Sequence, residues 1–108
     1  MRTFYEIVAF DILPALRSIL THELMRVYGF NQIEISHKLG ITQPAVSQYR
    51  HGLRGNGVKK LKSNGSIMEM IKKLSSEIAT KNLKYEQINE RIHEICETIR
   101  KDLSVVNK

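Results

Sequence analysis

Gln43, Ser47, Gln48 and Arg50 combine residue type and spacing in a way that suits one chemistry, hydrogen bonding to the edges of nucleobases. A Gln amide pairs bidentately with adenine, a Ser hydroxyl bonds to several bases, and an Arg fork favours guanine. Catalytic arrangements are harder to find. His93 and Cys96 stand three apart and can share a helix face, but no third residue orients the pair and no Gly loop is set to hold an oxyanion. Gly52, Gly55 and Gly57 lack the Gly-Lys-Ser/Thr of a phosphate-binding P-loop. His22, His37, His51 and His93 lack metal-ligand spacing, and a single Cys excludes zinc-finger and disulfide frameworks. The chain reads as a binder and not an enzyme, with no metal and no cofactor.

Charge sharpens that reading. The net charge of the 108 residues is +6, and its distribution is uneven. Residues 1–49 balance four Lys/Arg against four Asp/Glu, and residues 74–108 balance six against six. The whole excess falls in residues 50–73, where Arg50, Arg54, Lys59, Lys60, Lys62, Lys72 and Lys73 face Glu69 alone. A local basic block suits a polyanion, because each phosphate it neutralises releases condensed counterions. No apolar run approaches the roughly 20 residues that cross a bilayer, and Glu6 and Asp11 interrupt the region where a signal peptide is apolar. These features predict a cytoplasmic, nucleoid-associated protein with no membrane partner.

The elements that must position the polar residues are helical. Ile12, Leu13, Leu16, Ile19, Leu20, Leu24 and Val27 recur at three- and four-residue steps, predicting a helix capped by Asp11 and stopped at Gly29. The apolar lead-in Phe4–Phe10 fits a short helix or a strand, with helix preferred. Asn31 is placed to cap a helix over Gln32–Leu39, Gly40 to make a tight turn, and Thr42 to cap a second helix over Gln43–His51 with Pro44 in its first turn. A short helix, a Gly-containing turn and a second, outward-facing helix make a helix-turn-helix. Lys59, Lys60 and Lys62 then lie among glycines, a composition that suits either a mobile arm along DNA or a plain connector.

Residues 31–49, Asn-Gln-Ile-Glu-Ile-Ser-His-Lys-Leu-Gly-Ile-Thr-Gln-Pro-Ala-Val-Ser-Gln-Tyr, closely resemble the helix-turn-helix of Cro/C1-type regulators. Over a wider stretch, from Glu6-Ile7-Val8 onward to Arg54-Gly55, the chain resembles small archaeal predicted regulators, and its size and basic character are similar to those of crenarchaeal chromatin-associated DNA-binding proteins. The resemblance implies double-stranded DNA as partner. It also implies that Gln43, Pro44, Ser47, Gln48 and Arg50 face the groove, and that Gln32 holds a phosphate and braces Gln43. Thr42 would touch the backbone, and His51, Arg54, Lys59, Lys60 and Lys62 would lie near phosphates.

From residue 67 the apolar pattern turns heptad-like. Ile71, Leu74, Ile78, Tyr85, Ile88, Ile92, Ile95 and Ile99 predict a coiled-coil-like seam that pairs two chains, and Val106 continues it. The interruption Thr80-Lys81-Asn82 leaves open a hairpin of two helices that covers the N-terminal region, with Asn82 left-handed. Cys96, beside the seam, is either a packed thiol or an intersubunit disulfide. The expected architecture is therefore all-α, a helix-turn-helix DNA-binding domain with its basic loop over residues 1–65 and a helical dimerisation region over 66–108. The expected function is a homodimeric transcriptional regulator, with a weakly specific architectural DNA binder as the alternative.

Overall fold

The computed structural model describes residues 2–52 and 55–102, and all regular structure among them is helical. The chain opens with α1 (Phe4–Ile7), capped by Thr3, whose hydroxyl accepts from the Glu6 amide while the Glu6 carboxylate accepts from the Thr3 amide. The lead-in is thus helical, but it widens into a π-helical turn over Val8–Ile12 before α2 (Leu13–Arg26). Pro14 explains the widening. Its ring clashes with the carbonyl four residues back and it has no amide proton to give. Asp11 lies inside this π turn rather than capping α2, and its carboxylate pairs instead with Arg2 at 2.7 Å.

Next come α3 (Gln32–Leu39) and α4 (Gln43–His51), with the boundaries the capping pattern predicts. Asn31 and Glu34 form a reciprocal cap on α3, and the Thr42 hydroxyl accepts from the Ala45 amide at the start of α4. Gly40 takes φ +66°, the left-handed conformation that ends α3 and turns the chain.

The Gly- and Lys-containing link differs from its expectation as an arm or connector. Residues Asn56–Lys62 form a helix, α5, that buries Val58 and Leu61. Gly57 makes this possible, because a Cβ there would come within 2.7 Å of the Asp11 carbonyl oxygen. Seven residues with two apolar anchors make a marginal helix in isolation, so packing on α2 and α6 must supply its stability.

The heptad pattern is also redistributed. It belongs to two helices, α6 (Gly65–Lys81) and α7 (Tyr85–Lys101), which pack together as a hairpin. Asn82 turns the chain at φ 49°, ψ 50°. Ile71, Leu74, Ile78, Ile88, Ile92, Ile95 and Ile99 are all buried inside the one chain, where α6 packs on α2 and α5, and α7 packs on α3. The seam expected between two chains is therefore occupied within one, since heptad spacing records a buried stripe without recording what covers it. Tyr85, counted in that seam, is 41% exposed and lays its ring against Gly40. A single buried cluster runs from Ile12 to Ile99 across both of the expected segments.

Three polar ties hold the hairpin in place. Asn64 caps α6 through its side-chain oxygen and donates to the Asp102 carboxylate at 2.6 Å, joining the two ends of the hairpin. Arg91 donates to Glu77 at 3.1 Å between the helices, and that hydrogen bond, helped by the nearby cations, holds the Glu77 carboxyl below its ordinary pKa. At the corner, the Lys38 ammonium donates to the Asn82 side-chain oxygen at 2.5 Å and to the Leu83 carbonyl at 2.9 Å. No helix among the described residues is long and apolar enough to cross a membrane.

Candidate nucleic-acid interface

Helix α4 crosses α2 with Val46 fully buried beneath it. Tyr49 is half-buried, and its hydroxyl accepts from Arg17 of α2 at 3.5 Å. Those anchors fix which side of α4 faces out. Gln43, Ser47 and Arg50 follow one another at i, i+4 and i+7 and so share a stripe, with Pro44 and His51 to one side. Gln43, Pro44, Gln48, Arg50 and His51 are exposed and Ser47 is half-buried. Gln48 stands apart from the stripe, because it borders a cleft of about 570 Å³ between the π turn, the end of α4 and the start of α5, with Phe10 and Asn56 among its other walls.

Thr42 is exposed and engaged as the cap of α4. Gln32 is half-buried at the start of α3, and among the described residues no hydrogen bond joins it to Gln43, so the expected brace is not formed in this free chain. Arg17 and Lys38 fill the bracing role instead, Arg17 on Tyr49 and Lys38 on the α6–α7 corner. Sequence reasoning missed both. Their partners lie 32 residues away and more than 40 residues away, beyond the reach of any local pattern.

Of the basic residues, Lys59 and Lys62 are exposed on α5 and Lys60 is half-buried beside the cleft, while Arg54 lies outside the described residues. Ion pairs among the described residues join Arg2 to Asp11, Lys81 and Arg91 to Glu77, and Arg100 to Glu97. None of them engages Arg50 or the α5 lysines.

Cys96 is a buried free thiol, and burial pushes its pKa up, away from the reactive thiolate. Among the described residues no three His, Cys, Asp or Glu side chains gather as metal ligands. Comparison of the chain with protein-family models, with curated proteins and with solved structures finds no match.

Proposed function

We propose that this chain is a DNA-binding protein, a transcriptional regulator that reads the major groove with α4 and acts at the nucleoid, and not an enzyme. One observation carries the reading. Two capped helices meet at the left-handed Gly40, and the second turns Gln43, Ser47 and Arg50 outward in one stripe while Val46 and Tyr49 anchor it from behind. We read α3 and α4 as a helix-turn-helix, whose second helix enters the groove by its N-terminal end. Gln43 and Ser47 then reach base edges, Arg50 reaches a base or phosphate, and the lysines of α5 supply charge that any sequence can use.

Modules of this kind gain affinity by reading two half-sites at once. A homodimer of this chain would pair through a surface other than the α6–α7 stripe, which each copy buries within itself. Arg50 and the α5 lysines, which no ion pair among the described residues engages, favour a second reading, an architectural protein that binds all sequences through phosphates.

Selection from random genomic fragments at several salt concentrations separates the two readings. A regulator enriches a short motif. An architectural protein recovers fragments uniformly with a steep salt dependence, and a chain that retains no DNA refutes both readings. Within a regulator, Gln43→Ala with Gln48→Ala erodes sequence preference more than overall affinity, whereas neutralising Lys59, Lys60 and Lys62 weakens all sequences together. If preference survives loss of both glutamines unchanged, the assignment of Gln43 and Gln48 to base edges is wrong, and the same measurement on Ser47→Ala with Arg50→Gln then decides whether α4 reads the groove at all.

A further inference from the structure

The cleft beside Gln48 takes its walls from three elements. The π turn gives Phe10, the end of α4 gives Tyr49 and Gly52, and α5 gives Asn56, Lys60 and Leu61, around a space of about 570 Å³. That volume falls within the roughly 300–1,000 Å³ of small-molecule sites. Two aromatic rings line it, and the ring of Phe10 is 63% exposed, with the Arg2 guanidinium 5.3 Å from its centroid.

The floor of the cleft holds a hydroxyl with nothing bonded to it. Ser18 of α2 lines the cleft and is 3% exposed, yet no hydrogen bond among the described residues engages its side chain. Ser36, Ser63 and Ser75 each donate to the carbonyl three residues back, a local solution that Ser18 does not take. The Ser18 oxygen is not sealed inside the protein, as that of Thr21 is, and so it faces the cleft. Gly52 keeps the approach open, because a Cβ there would stand 3.0 Å from that oxygen. A buried hydroxyl left unpaired costs free energy until something bonds to it.

Charge narrows what that something is. Two charged residues line the cleft, Asp11 and Lys60. Asp11 is already held by Arg2 at 2.7 Å, whereas Lys60 is half-buried in the wall and none of the ion pairs among the described residues engages it. The cleft thus offers ring faces, a buried hydroxyl and one uncompensated cation. We propose that it binds a small aromatic carboxylate, with the ring against Phe10 and Tyr49, the carboxylate on Lys60 and a second polar atom on the Ser18 hydroxyl. This site is independent of the DNA-binding reading, and its test needs no DNA.

The full chain is titrated with 6-hydroxy-2-naphthoate, followed by ligand fluorescence and by amide shifts in NMR. Beside it run 2-naphthoate, which lacks the hydroxyl, and 6-hydroxy-2-naphthamide, which lacks the charge. The expected result is saturable binding of the hydroxynaphthoate that shifts the amides of Ser18, Gly52 and Gly57, with each comparator roughly fivefold weaker, the size of one hydrogen bond. Ser18→Ala erases the preference over naphthoate, and Lys60→Gln erases the preference over the amide. Ser18→Ala also leaves the urea midpoint unchanged or higher, since its hydroxyl has no bond within the chain to lose. Binding that does not saturate, or that keeps wild-type preferences in both variants, overturns the site. A Ser18→Ala midpoint well below wild type overturns it too, because the hydroxyl would then be bonded inside the chain.

Discussion

At the residue scale, His22 is held below its ordinary pKa first by burial and then by the charges of Arg26 and Lys62, and not all of these neighbours are revealed by a local pattern. Arg26 is visible from the sequence as its i+4 neighbour, but Lys62 arrives from 40 residues away because α5 is a helix laid on α2. The consequence for stability has a definite sign. With the folded pKa below the ordinary 6.5, the unfolded chain takes up this proton first as the pH falls. The contribution is complete above about pH 6.5, declines below it, and levels off once the folded value is passed. Urea unfolding at pH 7.5 and pH 5 therefore shows a drop in midpoint that is smaller in His22→Gln than in wild type, and equal drops would show that His22 is not held neutral. A depressed Glu77 acts in the same direction at lower pH, which the comparison with His22→Gln separates.

At the element scale, the parts that were legible in the sequence are those whose signals are local. Asn31 with Glu34, Gly40 and Thr42 act within four residues of themselves, and α3, its turn and α4 appear where they predict. Helix α5 was hidden because its glycines and lysines spell a loop, while the burial of Val58 and Leu61 that overrides them is tertiary. Gly40 offers a direct test. An Ala there must adopt φ +66° and drive its Cβ into the Tyr85 ring, well inside van der Waals contact, so Gly40→Ala is expected to cost about 2 kcal/mol or more in urea unfolding. Adding Tyr85→Ala removes the clash, so the double variant loses less than the sum of the singles. Additive losses would mean that Tyr85 does not cover the turn.

At the scale of the whole molecule, periodicity alone cannot say whether a stripe is covered by its own chain or by a second one. A continuous helix through the heptad pattern, about 40 residues, would run roughly 60 Å, whereas the longest dimension of the molecule is 36 Å. The radius of gyration of 13.1 Å also matches the roughly 13 Å of one folded unit of this length. Ile88, fully buried on α7, distinguishes the cases. Ile88→Ala is expected to lower unfolding free energy by about 3 kcal/mol, with a midpoint independent of protein concentration. A midpoint that rises with concentration would place this stripe between chains after all.

The grip of Lys38 on Asn82 and Leu83, with Tyr85 over Gly40, also bears on the order in which the chain is made. Ribosomes extend a chain at about 5–20 residues per second, and an early segment must wait for its later partners to emerge. The segment 31–51 leaves the ribosome with the caps of both its helices in hand, yet the residues that close over its turn are encoded more than 30 positions later. For those seconds the nascent chain has its most specific helices and lacks the corner that braces them. A truncated product ending before residue 82 is therefore a chain caught before closure, lacking the helix α7 on which α3 packs.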